Sequence, residues 1–445
     1  MTTATDQAGL ATWKRFEKPQ NLSAAFFWLS AFYFVYCARP EDWIPGLHYI
    51  PLAKVTGFCA AVALLMSAGN TKRKLQNLPI EFYYLLALDG LLYVSAVLSP
   101  VWKMGALSHT IDFSKLYIAC ILTYLLVTEF KQFKRVMFIQ SVCVPIICLV
   151  SILKGHDRPR LAGILGGIYS NPNDLAFAIV LSLPFCIAFM LLAKGILRKL
   201  AWFAGMLIMM AALFLTASRA GFIDLVISGT VCLWHFGIRG RRFYLIAGTV
   251  LVGTLLMATV GSRLIDRFEA LSGGTKTEVD AYGSYEERRF LMVRALDAIA
   301  HYPLFGVGAH DFVPYSGVWK PVHMTYLQIA AEAGIPALIL FLLFFKRAFT
   351  NLHQLMRLKN LDPEIVLIVG ALHSSMVGFV VGALFAPEAY QFFPYFAVFY
   401  TSTLVAIVNE QQKVTVPMQA APIPTWRAGE IYASRGSSNT LAPVN

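Results

Sequence analysis

Twelve apolar stretches, most of them close to 20 residues long, recur along the chain with short polar joints between them. About 20 consecutive apolar residues are what an α-helix needs to cross a hydrocarbon core. The stretches are 22–38, 50–69, 79–98, 112–130, 134–153, 174–193, 200–217, 220–237, 243–261, 325–345, 364–385 and 389–408. Composition agrees, with 57% hydrophobic residues, 14% charged and a mean hydropathy of +0.61. A soluble chain carries about 25% charged residues. The sequence therefore reads as an all-α polytopic membrane protein of about 12 transmembrane helices. No cleavable signal peptide is visible, because the first apolar stretch begins beyond residue 20 and more spans follow directly. Cysteines such as Cys120, Cys143, Cys148, Cys186 and Cys232 fall within apolar runs without metal or disulfide spacing, and read as small buried residues.

Basic residues fix the expected orientation. Lys14, Arg15 and Lys18 precede span one; Lys72, Arg73 and Lys74 follow span two; Arg239, Arg241 and Arg242 follow span eight; Lys346 and Arg347 follow span ten. With twelve spans all these clusters share one side, which the positive-inside rule makes cytoplasmic, with both termini inside. The net charge of +12 thus resides in membrane-flanking loops, and no nucleic-acid partner is expected. The organisation is a cytoplasmic N-terminus (1–21), nine spans (22–261), a large outer loop (262–324), three spans (325–410) and a disordered cytoplasmic tail (411–445).

Against that orientation five arginines face outward: Arg158, Arg160, Arg219, Arg288 and Arg289. A charge at a helix centre in the membrane costs roughly 2.5–3.5 kcal/mol on the mildest scale, so such exceptions point to function. Arg219 stands in TASRAGFIDLVISG, a tight turn between two apolar segments. Arg158 and Arg160 precede SNPND, where Asn171, Asn173 and Asp174 form a turn and helix cap, or alternatively contact a polar substrate. In the outer loop, LSGGTKTEVDAYG reads as mobile, and Ser284 with Glu287 forms a capping box that starts a helix at Tyr285 and ends it near Tyr302, before Pro303. Its face of Met292, Val293, Leu296, Ile299 and Ala300 is expected to turn toward the spans, with Arg288 and Arg289 flanking it. Arg294 and Asp297, three apart, read as a solvated ion pair. His323 stands where the chain re-enters the membrane and is the expected proton acceptor; His310, in a glycine-rich turn, is its competitor. His373, inside span eleven, reads as a core histidine hydrogen-bonded across helices.

Four separated stretches, SNPNDLA, TASRAG, RRFLMVRALDAIAHYPLFGVGAHDF and HMTYLQIAAEAGIP, resemble the O-antigen ligase and O-antigen polymerase superfamily, in the family's order. The resemblance covers residues 150–345 and implies a GT-C-like, metal-independent glycosyltransferase of the bacterial inner membrane. Such enzymes move a glycan from an undecaprenyl-diphosphate carrier, in the membrane lipid, to a hydroxyl of lipid A core, another glycan or a protein at the periplasmic face. No cofactor is implied. The family's turn arginine matches Arg219, its loop-helix arginine matches Arg289 (with Val293 where the family has tryptophan), and its re-entry histidine matches His323. Met324 replaces the ligase's Asn, Ser or Gln, and Ala337 replaces a second glycine after Gly334; these departures bear on the acceptor. The resemblance assigns catalysis to His323, Arg219 and Arg289, and substrate binding is expected of Arg288, Arg158, Arg160 and Asn173. A polysaccharide polymerase is the alternative. A transporter is less favoured because its ionisable residues would sit at the midplane rather than in outer loops. Guanidinium groups bind phosphate bidentately and stay charged, so they replace a metal clamp on the diphosphate. Two geometric expectations follow: Arg219 and Arg289 should approach one another over a shared cavity, and the helix at 285–302 should roof it.

Overall fold

The computed structural model describes residues 20–67, 71–154, 160–163, 169, 171–260 and 278–415. Among the described residues there are helices and no strands. Nine helices follow the first nine expected spans in order: α1 (Gln20–Ala38), α2 (Leu52–Met66), α3 (Ile80–Leu98), α4 (Lys103–Leu126), α5 (Phe130–Lys154), α6 (Pro172–Leu192), α7 (Ile196–Thr216), α8 (Arg219–Leu233, continued by a π turn at Trp234–Ile238) and α9 (Phe243–Val260). Then come α10 (Glu278–His301), α11 (Thr325–Ala333), α12 (Ile335–Arg357), α13 (Pro363–Gly382) and α14 (Phe392–Thr415). Eight of these are long and apolar enough to cross a membrane, and α1, α2 and α9 contain shorter apolar helices. α4 is more polar, carrying Lys103, Asp112 and Lys115, the last two paired with each other at the surface. The protein is an all-α polytopic membrane protein.

Burial follows polarity around each helix. α6 has no charged residue after its first turn and is apolar all round, so it sits inside, packed by α5, α7, α8 and α13. A second core is aromatic: Phe341, Phe344 and Phe345 of α12 meet Phe379 of α13 and Tyr395 and Phe399 of α14.

The tenth expected span is interrupted. Gly334 has φ +88° and separates α11 from α12, and the stretch after α10 packs into the break. Val307 N–H donates to Ala331 O at 2.9 Å, Gly308 N–H to Glu332 O at 3.0 Å and Ile335 N–H to Pro303 O at 2.8 Å. A side chain on Gly334 would lie 2.2 Å from Leu304 O, and one on Gly306 2.3 Å from the Glu332 carbonyl carbon, so glycine is required at both.

α10 also departs from expectation. It begins at Glu278, so Ser284 lies inside the helix, and residues 278–283 of the stretch read as mobile are helical; the remainder of that stretch falls outside the described residues. It ends at His301, as Pro303 requires. Its inward face is Leu291, Ala295 and Ala298, packed on Val307, Phe312, Val322 and Ala331. Met292, Val293 and Leu296 point outward, 45%, 56% and 50% exposed. α11 approaches closely at Ala331, and the small side chains of Ala295 and Ala298 admit that approach where larger ones would not. Arg294 pairs with Asp297 at 3.2 Å as expected, and Tyr315 O–H joins Asp297 at 2.8 Å. α14 continues to Thr415, past the expected start of the tail, and residues 416–445 fall outside the described residues.

Candidate functional site

The turn between α7 and α8 is built from each residue of TASRAG. Thr216 ends α7, and its Oγ accepts from Ser218 N–H at 3.3 Å. Ala217 takes the left-handed conformation at φ 47°, which costs a residue with a Cβ about 1–2 kcal/mol. Ser218 caps α8 by accepting from Gly221 N–H at 3.2 Å. Gly221 lets α8 lie against Ala176 of α6, whose Cβ would be 2.6 Å from any side chain there. Arg219 is therefore the first residue of α8, where unpaired N–H groups already carry partial positive charge. Its Nη1 is buried and has no hydrogen-bond partner among the described residues. A cation held at a positive helix end leaves room for one kind of ligand, an anion.

Arg160 and Asn173 brace this turn. Arg160 Nε donates to Thr216 O at 2.9 Å and its Nη2 to Asn173 Oδ1 at 3.2 Å, while Ser218 Oγ donates to the same Asn173 oxygen at 2.8 Å. Asn171 caps α6 by accepting from Asn173 N–H at 3.0 Å, as SNPND implies. Both polar groups expected to bind substrate thus bond to the protein in this structure. Arg158 lies outside the described residues.

The next residue of α6 continues the scaffold. Asp174 lies within electrostatic reach of Glu388, in the connection between α13 and α14. Burial first, and Asp174 second, push the Glu388 carboxyl well above the usual carboxylate range. Glu388 N–H donates to Thr325 Oγ1 at 3.0 Å, and Thr325 in turn bonds Ala383 O at 2.8 Å and Ala386 O at 2.7 Å. Two residues before Thr325 stands His323. The Arg219 turn and His323 are thus both tied to the α13–α14 connection, the first through the electrostatic influence of Asp174 on Glu388 and the second through its near neighbour Thr325.

His323 is half-buried, and its Nδ1 is buried with no hydrogen-bond partner among the described residues. Burial, then the neighbouring Arg288 and Lys320 cations, with Glu287 opposing, lower its pKa to about 4. The imidazole is neutral at pH 7 and free to accept a proton. Glu287 and Lys320 form an ion pair beside it. Of the two adjacent arginines in the first half of α10, Arg288 lies within electrostatic reach of this histidine; Arg289 is exposed and has no hydrogen bond or ion pair among the described residues. Among the described residues, no hydrogen bond or ion pair joins Arg289 to the Arg219 turn.

His310 is placed quite differently. Its ring lies 4.3 Å from that of His109 and 4.8 Å from that of Tyr390, and its backbone is left-handed at φ 61°. Burial first and His109 second lower its pKa to about 4. Asp311 accepts from Ser99 O–H at 2.5 Å and from Trp102 N–H at 3.1 Å. Together they fasten the loop to the α3–α4 connection. Inside the bundle His373 Nδ1 meets His235 Nε2 at 3.0 Å, the cross-helix bond expected of it.

A cavity of about 840 Å³ lies between α6, α7, α8 and α9, walled by apolar residues such as Pro184, Met206, Met210 and Val252. It reaches Phe214 and Phe222, whose rings sit 6.2 Å apart on either side of the Arg219 turn. Among the described residues α10 contributes none to the lining, so it does not form the expected roof over this cavity. Glu388 and Lys320 were not singled out from sequence, and Glu287 only as part of a capping box; for Glu388 the one available signal was an acidic residue, in APEAY, between two apolar runs.

Residues 204–342, a little under a third of the chain, match the family model described as O-antigen ligase. No curated protein matches the chain. The matched segment contains the Arg219 turn, the arginines of α10 and His323, so most of the candidate site lies in the part of the chain that is similar to the O-antigen ligase family.

Proposed function

We propose that the protein transfers a glycan from a polyprenyl-diphosphate carrier to an acceptor hydroxyl at the outer face of a bacterial inner membrane. The buried, unpartnered Arg219 nitrogen at the head of α8, flanked by an apolar cavity, carries this reading. A diphosphate on an apolar tail matches both halves of that arrangement. The cavity falls within the ~300–1,000 Å³ range of single-ligand pockets, enough for part of a long tail.

In the reaction the acceptor oxygen attacks the anomeric carbon and gives its proton to His323. The bond from that carbon to the diphosphate oxygen breaks, and the electron pair stays on the diphosphate. Arg219 stabilises that developing charge, and Arg288 adds positive potential near the attacking group. Ser218, Asn173 and Arg160 keep the Arg219 turn in place. The role is assigned to guanidinium groups rather than to a metal ion, so transfer should continue undiminished in EDTA.

The test is purified protein supplied with a lipid-linked glycan and a lipid A core, glycan or protein acceptor, with product followed by mass. Transfer to a non-carrier acceptor supports a ligase. Lengthening of the carrier-linked glycan alone supports a polymerase on the same donor chemistry. Intact donor under every condition would contradict both.

A further inference from the structure

Close packing accounts for the small residues where α8 meets α13, but not for the ionisable ones among them. The buried face of α8 is Gly221, Asp224, Ser228 and Cys232. Facing it, α13 repeats Gly370, Ser374, Gly378 and Gly382 at every fourth position, a spacing that lets membrane helices approach closely. A side chain on Gly378 would lie 3.1 Å from Ser228 Oγ and 3.3 Å from Asp224 Oδ1; one on Gly382 would lie 2.7 Å from Asp224 Oδ2. Asp224 is 1% exposed, and neither of its oxygens has a hydrogen bond among the described residues. An unpaired carboxyl inside a transmembrane helix marks an ion or proton pathway more often than a packing choice.

Polar groups continue along the seam from that carboxyl. Ser228 Oγ donates to Ser374 O at 3.0 Å, and Ser374 Oγ to Gly370 O at 2.9 Å. Cys232 lies beside Ser374. Then comes the π turn, a form that occurs mostly as single-turn insertions at functional sites. Its His235 packs on Gly370 and meets His373 at 3.0 Å, with Arg239 nearby and Phe349 against the His373 ring. Asp224 and His235 are eleven residues apart, about 16 Å at 1.5 Å per residue, roughly half of a ~30 Å hydrocarbon core. Asp174, two residues before the Ala176 on which Gly221 packs, and Glu388 lie within electrostatic reach of one another.

We propose that the α8–α13 seam conducts protons between the His235–His373 pair and Asp224, and onward to Asp174 and Glu388. This is an activity separate from glycosyl transfer. Each imidazole accepts a proton on one nitrogen and releases another from the second; the hydroxyls of Ser374 and Ser228 pass it on; the Asp224 carboxyl takes it up. Only N–H and O–H bonds change, one proton leaves for each that enters, and the net movement of charge lets a membrane potential drive it. Such a path would let a proton gradient act on the carboxyls beneath the Arg219 turn.

The experiment uses the full-length protein in sealed vesicles containing a pH-reporting dye, with a potassium diffusion potential imposed by valinomycin. Internal acidification should run several-fold faster than in protein-free vesicles. Asp224→Asn, which keeps the shape and loses the acid, should return it to the protein-free rate. His373→Gln and Ser228→Ala should each slow it, and Thr230→Ala, on the exposed face of α8, should leave it unchanged. If Asp224→Asn does not fold, Ser228→Ala decides. Wild-type flux at the protein-free rate overturns the proposal, as does unaltered flux in Asp224→Asn or, where that variant is lost, in Ser228→Ala.

Discussion

The Ala217–Arg219 turn and the first turns of α10 both bring arginine to the same end of the bundle, and they are built differently. The turn is held from every side: a serine cap, a brace from Arg160, a shared Asn173 oxygen and a glycine pressed on α6. α10 is held along one narrow face by Leu291, Ala295 and Ala298, and leaves Arg289, Met292, Val293 and Leu296 outward. A fixed cation suits a ligand that never changes, as a carrier diphosphate does not. An exposed helix suits whatever varies, the glycan or its acceptor. The contrast separates two arginines that sequence alone had paired as catalytic equals.

The widest separation should appear on substitution of those two. Arg219→Ala is expected to lower turnover by roughly 10²–10³, the loss typical of one donor to a developing anion. Arg219→Lys should restore only part, because an ammonium lacks the guanidinium fork. Arg289→Ala should fall well short of that loss and act mainly on KM. Initial transfer rates with purified variants check this, and equal losses would erase the distinction between the two regions.

A smaller effect concerns pH. His323 must be unprotonated to act as a base, so kcat/KM should hold from neutral pH downward and fall as pH drops through about 4. Arg288→Gln removes a cation that disfavours the charged imidazole. The histidine should then move up toward its ordinary 6.5, and the acid limb should move up with it. An acid limb unmoved in Arg288→Gln would detach α10 from the base.

The smallest expected effect is on the brace. Arg160→Ala removes its hydrogen bonds to Thr216 O and Asn173 Oδ1 and leaves both with fewer partners. The cost should be about 1–3 kcal/mol of stability, read by thermal unfolding with lipid present. Donor binding should weaken less than in Arg219→Ala, since Arg219 itself remains.

Hydrophobic runs near 20 residues predict helices because nothing else buries so much apolar backbone in sequence, and among the described residues every expected span but the tenth, which Gly334 divides, coincides with one helix. What they hide are breaks made by backbone geometry. Gly334 and Pro336 hint at a break in this run, but the reason it must occur there, Leu304 O lying where a Cβ would be, comes from a residue thirty positions away. The inward face of α10 was misjudged because periodicity ranks side chains by apolarity, while close approach to α11 selects small ones such as Ala295 and Ala298. Arg219 and His323 were legible as unusual residues at span ends. Arg160 and Asn173 were legible as polar, but whether each meets a ligand or the protein depends on partners that sequence does not bring together. The His310 surroundings, His109 and Tyr390, come from helices and connections far apart in the chain.

In the proposed reaction one end of this bundle holds the diphosphate with Arg219 and removes the acceptor's proton with His323. The most direct test measures donor binding and glycan transfer separately in His323→Ala and Arg219→Ala. A positioned general base contributes typically 10²–10⁴ in rate. The His323 variant should therefore bind lipid-linked donor as the wild type does and lose transfer by about that factor, while the Arg219 variant should lose both binding and transfer. Normal transfer by His323→Ala, or undiminished donor binding together with normal transfer by Arg219→Ala, would contradict the account.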